Sequence, residues 1–328
     1  MSSIIDLVFS DIFVAKDPSA CWTKMMPDAM EPQLLPTDCH GEIMELRTLL
    51  EQHAESPDFK VDWKGLRLRV ERMDTANGAI YVCRRYGVLP KHLADLGFPP
   101  MIAQRILSAD ERTGFKDGLV LFLGKTGSGK TTASAAYVIE RLEQFGGVCW
   151  TVENPIEIAI QGRHGKGVCY QTEADSDHGF GEAIRRMLRA SPNLIWIGEI
   201  RDESAAREAV YAATSGHLVV TTFHANDLVT GLARFSRLVG DASMLTDSLR
   251  AALYLQLKNS GNGQPVSAGA DGLPGRATTP KRVLSVDPLL IIGENADGLR
   301  STLRDGSFQL LISETGRQKR LFMGGGLP

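Results

Sequence analysis

Eight consecutive residues, Gly124-Lys125-Thr126-Gly127-Ser128-Gly129-Lys130-Thr131, have the types and spacing of a phosphate cradle, G-x-x-x-x-G-K-[ST]. Glycines let successive backbone N–H groups turn toward one polyphosphate without Cβ clashes, and the positive end of a following helix faces the same anion. On this reading Gly124, Thr126, Gly127, Ser128, Gly129, Lys130, Thr131 and Thr132 bind a nucleoside triphosphate. Lys130 would reach its β- and γ-phosphates, and the Thr131 hydroxyl would be a ligand of Mg²⁺.

Hydrolysis needs more, namely groups that orient water and hold the metal. Acids at the C-terminal ends of sheet strands are the natural suppliers, because those ends border the nucleotide crevice. Two clusters qualify, Glu153-Asn154-Pro155-Ile156-Glu157 and Gly198-Glu199-Ile200-Arg201-Asp202, each directly after an apolar strand pattern. His217 and His224 flank a third such pattern, Leu218–Phe223. They stand at opposite ends of one strand and so are not placed to share a metal. His224, at the C-terminal end, is the better placed for the γ-phosphate or a subunit contact.

These residues need elements to hold them. Leu119–Leu123 reads as a buried strand and Thr132–Phe145 as a helix, which is the context the cradle requires. From Gly118 onward strand and helix patterns alternate, implying a parallel sheet with crossover helices. The strands are Val148–Val152, Leu194–Gly198 and Leu218–Phe223; the helices are Gly181–Ala190, Ser204–Thr214, Asp227–Val239, Met244–Leu257 and a short one near Gly298–Arg304. Before the cradle, Gly41–Ala54 has a helical apolar face, and alternating stretches at Phe59–Trp63, Leu66–Arg72 and Ala79–Arg85 read as strands, with Asn77-Gly78 as a turn. The expected division is a small α+β domain over 1–97, a linker and approach helix over 98–117, and an α/β domain over 118–328. Within the last, 259–280 holds five glycines and three prolines and is expected to be a mobile loop.

Composition sets the outer limits. A length of 328 residues suits two domains, and 43% hydrophobic with 23% charged residues is ordinary for a soluble globular chain. The net charge of −3 argues against a nucleic-acid or acidic-membrane partner for the chain as a whole. No apolar run approaches the ~20 residues of a spanning helix. Met1–Phe13 carries Asp6 and Asp11 without a basic leader, and so is a poor signal peptide. The five cysteines are scattered without a C-x-x-C, as expected of buried thiols in a reducing cytoplasm.

Taken in order, the motifs resemble those of the secretion ATPases of type II secretion, type IV pili and type IV secretion, the PilT/GspE superfamily. Gly124–Thr131 is similar to the family's Walker A box, Glu153–Glu157 to its Asp box, Leu194–Asp202 to its Walker B, and Thr214–His217 through Thr222–His224 to its His box. Leu188–Asn193, Gly179-Phe180 and Ser10–Phe13 fit as well, and Gly298–Leu303 is similar to a degraded A-I-R-N-L-I motif. Asn154 departs from the Asp of the Asp box, and Gln161 stands where pilus motors often have His.

The resemblance implies a RecA-like P-loop NTPase domain behind an N-terminal α+β, PAS-like domain, in the compact PilT-like branch that includes the DotB/TraJ-like ATPases. Carried over residue by residue, Glu157 would polarise the attacking water, Glu199 would lie near Mg²⁺ and that water, and His224 near the γ-phosphate, with Lys130 completing the catalytic set. Arg67, Arg69 and Arg84 match the N-terminal arginines that reach the phosphates. The implied protein is a cytoplasmic homohexameric ATPase, using ATP and Mg²⁺, that docks on inner-membrane components of a secretion or pilus apparatus. Type IV secretion or conjugation is the first expectation and type IV pilus retraction the alternative. A RecA-like nucleic-acid translocating ATPase is the rival of another class; Arg185, Arg186 and Arg189 supply one basic face for it, whereas the net charge and 7% aromatic content oppose it, and no sequence-specific nucleic-acid contact is expected.

Overall fold

A computed structural model describes residues 3–7, 9–25, 30–53, 56–86, 92–108, 115–174, 179–259, 282–293 and 295–323. The expected loop over 259–280 therefore lies almost wholly outside the described residues. The chain divides into two compact units, Met1–Val88 and Leu89–Pro328.

In the first unit, strands β1 (Asp11–Val14), β2 (Trp22–Lys24), β3 (Gln33–Leu34), β4 (Asp58–Trp63), β5 (Leu66–Thr75) and β6 (Gly78–Arg85) form an antiparallel sheet in the order β3-β2-β1-β6-β5-β4. Helix α1 (His40–Gln52) buries Ile43, Leu46 and Leu50 in one core with Ile12, Val14, Leu68, Val70 and Tyr81. Strict alternation explains the sheet: in β5, Leu66, Leu68 and Val70 are buried, whereas Arg67 and Glu71 are exposed. The first three strands carry no comparable alternation, being only two to four residues long.

The second unit is built on an eight-stranded sheet. After α2 (Pro100–Leu107) come β7 (Gly118–Gly124), α3 (Lys130–Phe145), β8 (Gly147–Glu153), β9 (Gly162–His164), β10 (Gly167–Glu173), α4 (Phe180–Leu188), β11 (Leu194–Ile197), α5 (Glu203–Thr214) and β12 (Leu218–His224). The chain continues through α6 (Leu228–Val239), α7 (Ala242–Ser248), β13 (Leu249–Asn259), β14 (Arg282–Leu290), α8 (Ala296–Arg304) and α9 (Leu311–Met323). The strand order is β14-β13-β7-β12-β11-β8-β10-β9; the six inner strands are parallel, and β14 and β9 run antiparallel at the edges. The result is the RecA-like α/β architecture behind a strand-rich α+β unit.

Every residue of β7 is buried, because the sheet is covered on both faces. Leu119, Leu121 and Leu123 enter a core with α4 to α8, while Val120 and Phe122 enter a second core with α2, α3 and α9. Burial on both faces also accounts for a correction. Met244–Leu257 is not one helix: α7 ends at Ser248, and Leu249 begins β13. Ala251 to Leu255 are all buried between β7 and β14, so this strand has no polar face and its apolar run imitates a helix. Among the described residues no helix is long and apolar enough to cross a membrane.

Candidate active site

The cradle joins β7 to α3, and its shape requires its glycines. Gly127 and Gly129 have φ of +74° and +90°, where a side chain is strained. A Cβ on Gly124 would lie 2.4 Å from the Ser128 hydroxyl oxygen and 2.7 Å from the Leu255 carbonyl oxygen. Lys125, Thr126 and Gly127 form an exposed tip, while Ser128 and Lys130 are buried beneath it. Thr131 and Thr132 follow in the first turn of α3, both half-buried.

Two observations show that the residues fit a bound polyphosphate. The Ser128 hydroxyl is buried and makes no hydrogen bond, an unpaired polar atom that a phosphate oxygen would satisfy. The Lys130 ammonium folds back onto the Lys125 carbonyl oxygen at 3.0 Å, a neutral partner inside the loop. Burial lowers the Lys130 pKa, and the charges of Glu199 and then Glu157 act in the opposite direction. The lysine thus sits within electrostatic reach of both carboxylates.

Glu153 ends β8 and is buried, whereas Glu157, four residues on, is exposed. Burial raises the Glu153 pKa from 4.5 to about 7, against the pull of hydrogen bonds from Thr151 and Gln171. Those two donors meet the same carboxylate oxygen, at 2.7 and 2.9 Å. Glu199 follows β11 and is held by Arg201, whose Nε and Nη2 each lie 2.9 Å from one Glu199 oxygen.

His224 is the last residue of β12 and is exposed, with its carbonyl oxygen accepting from Arg234. It opens onto a cleft of about 490 Å³ shared with Thr126, Glu199, Arg201, Arg234 and Arg237. The structure therefore brings one cradle residue, one strand-end acid and the histidine to a single cavity. Arg234 also lies over the Phe223 ring at 5.3 Å. His217, at the far end of β12, instead contacts the Ala212 carbonyl oxygen at 3.2 Å.

Arg67, Arg69 and Arg84 belong to the first unit. Arg69 faces Arg84 across the β5–β6 pair. Each guanidinium donates to an aspartate of its own sheet: Arg67 to Asp62, Arg69 to Asp58 and Arg84 to Asp11. Of the basic α4 face, Arg185 pairs with Glu208 and Arg186 with Glu182. Sequence reading overlooked Arg234 and Arg237, whose only signal is their one-turn spacing on α6 beside the strand-end histidine. Among the described residues no group of three His, Cys, Asp or Glu side chains is arranged to hold a metal unaided.

Comparison with known proteins adds the family context. Residues 53–260 match the family model described as "Type II/IV secretion system protein". The chain is 34% identical over 169 residues to the type IV pilus assembly ATPase TfpB of Acinetobacter baylyi, covering 51% of this chain and 28% of that protein. It is 34% identical over 204 residues to the type II secretion system protein HxcR of Pseudomonas aeruginosa, covering 61% of this chain and 41% of that one. The chain thus spans well under half the length of these curated relatives. In fold it is similar to the ADP-bound pilus retraction motor PilT, with a TM-score of 0.69 at 23% identity over 94% of this chain and 86% of that one. It is likewise similar to the ATPase DotB of Legionella pneumophila, with a TM-score of 0.66 at 18% identity over 94% and 84%.

Proposed function

The chain belongs to the type II/IV secretion system protein family, and from that premise we propose that it is an ATP-hydrolysing motor serving a membrane-embedded secretion or pilus apparatus. The observation that carries this reading is the convergence on one cradle: Lys130 is buried under a glycine loop, within electrostatic reach of Glu199 and Glu157, while Thr126, Glu199 and His224 share the adjoining cleft.

In this reading the cradle N–H groups, Ser128 and Lys130 hold the phosphates. Thr131 and Glu199 would hold Mg²⁺, and a bound ion would supply positive charge against that developing on the phosphoryl oxygens. Glu157 orients the attacking water, and His224 contacts the γ-phosphate from β12. Arg67, Arg69 and Arg84 are the further phosphate-binding candidates that the family resemblance implies, each paired here with an aspartate of its own sheet. The working form is a homohexamer on the cytoplasmic side of an inner membrane, held there by protein partners. Type IV secretion or conjugation is the machine favoured here, with the DotB-like fold in support; pilus retraction is the alternative, with the PilT-like fold in support.

The test is ATP turnover by the wild type and by Glu199→Gln, with nucleotide binding and oligomer mass followed in parallel. The variant is expected to bind ATP and assemble, but to lose turnover by about 10²-fold or more, the scale of a positioned catalytic group. Normal turnover in the variant would remove Glu199 from the metal and water. Failure of the wild type to bind ATP would end the motor reading.

A further inference from the structure

Glu157 lies in the segment between β8 and β9, and the means of holding that segment is unusual. Residues 156–160 run beside β10, but side chains rather than a backbone ladder make most of the connections. The Ile156 N–H donates to Glu173 Oε1 at 3.1 Å, and the Ile160 N–H donates to Gln171 Oε1 at 2.6 Å. The other end of the same carboxamide, Gln171 Nε2, donates to the Ile158 carbonyl oxygen at 3.0 Å and to Glu153 at 2.9 Å. Gln161 reciprocates, its Oε1 accepting the backbone N–H of Gln171 at 2.6 Å. The Glu153 carboxylate in turn accepts from the backbone N–H of Glu157 itself.

The pattern has a period of two. Ile158 and Ile160 are buried in the α3-side core, and the backbone groups tied to β10 are those of residues 156, 158 and 160. Glu157 falls between tied residues and is turned out to solvent. Gln171 satisfies groups of Ile158 and Ile160 on one side and reaches Glu153 on the other, so one side chain sets the register of the segment.

We propose that Gln171, locked by Gln161, is a positioning residue for Glu157: the two glutamines form a clasp that fixes the segment and so aims the Glu157 carboxylate. The proposal rests on the reading of Glu157 as the water-orienting group. A misplacement on the scale of 1 Å is enough to cost a catalytic group most of its effect.

The experiment compares wild type, Gln171→Leu, Gln161→Leu and Glu157→Gln by steady-state ATP turnover, by binding of a fluorescent ADP analogue, and by amide hydrogen exchange. For Gln171→Leu the clasp predicts a kcat lower by about 10- to 100-fold, with KM and ADP affinity within about threefold of wild type. It also predicts faster exchange confined to residues 156–161, with β7 and α3 exchanging as in wild type. Gln161→Leu should show the same pattern to a smaller degree, and decides the matter if Gln171→Leu does not fold. A kcat within about twofold of wild type, or unchanged exchange over 156–161, overturns the proposal. So does faster exchange across the whole second unit with loss of ADP binding, which marks a structural role only. Wild-type turnover by Glu157→Gln, with the exchange result intact, would instead sink the reading of Glu157 and leave the clasp standing.

Discussion

His224 stands directly beside Gly124 in the parallel β12–β7 pairing, and the next amide, that of Ala225, donates to the Gly124 carbonyl oxygen at 3.2 Å. Two residues a hundred positions apart in the chain therefore reach the same level of the sheet, one opening the phosphate loop and the other closing its neighbouring strand. The relationship is set by strand register alone, so it survives only while Gly124 keeps its present backbone path.

That path is sensitive to a single methyl group. Gly124→Ala places a Cβ against the Ser128 hydroxyl and the Leu255 carbonyl oxygen. The expected outcome is loss of nucleotide binding together with a stability decrease of about 1–3 kcal/mol from overpacking. Titration with a fluorescent ADP analogue and urea unfolding measure the two effects separately.

Arg201 holds Glu199 through two guanidinium nitrogens on one oxygen. Both groups are partly exposed, so the pair adds little to stability, within about 1 kcal/mol. Its effect should appear in chemistry instead. Arg201→Ala is expected to lower kcat by about tenfold while the melting temperature stays within a few degrees. A normal kcat would show that Glu199 needs no such orientation.

Glu153 gives the fold a pH dependence of definite sign. Burial holds its pKa at about 7 in the native state against an ordinary 4.5. Between those values the native state binds the proton more tightly than the unfolded chain, so stability falls as pH rises through this window and levels off above it. The shift corresponds to roughly 3 kcal/mol. Glu153→Gln removes the titration, and its stability relative to wild type should therefore grow by that order between about pH 5 and pH 8. Denaturant melts at several pH values test this, and a constant difference would show that Glu153 ionises freely.

All five cysteines are buried and unbridged. Burial raises the thiol pKa of Cys21, Cys39, Cys83 and Cys149, and Cys149 also faces Cys169 in the β8–β10 register. A disulfide reagent should find no reactive thiolate in the native protein and five on unfolding. Prompt labelling of any one of them without denaturant would contradict the packing.

What the sequence disclosed depended on range. The β7–loop–α3 unit is local, with steric needs written into consecutive residues, and the strand ends bearing Glu153 and Glu199 could be read from short apolar runs closed by an acid. The α7–β13 break could not, since burial of Ala251 to Leu255 on both faces is decided by β7 and β14. Strands β9 and β10 escaped notice because Gly162–His164 and Gly167–Glu173 contain few large apolar residues. The Gln161–Gln171 clasp was equally silent, since a glutamine's partners follow from register and leave no mark in spacing.

The ladder between β13 and β14 runs without interruption through nine pairs, from Ala251 opposite Leu290 to Asn259 opposite Arg282. Gln318 of α9 secures its outer strand by bonding both the N–H and the carbonyl oxygen of Leu290. Residues 259 and 282 are therefore neighbours at the end of the ladder opposite that clamp, so whatever polypeptide joins them leaves and re-enters the sheet at adjacent positions. Lengthening such an excursion twofold costs only about 0.6 kcal/mol in closure entropy. For the engineer this is a docking port on the cradle's own side of the sheet: Leu255 of β13 pairs with Gly124, and a Leu284 methyl lies 4.0 Å from where a Cβ on Gly129 would stand. A reporter domain spliced between residues 259 and 282 would therefore ride beside the phosphate loop.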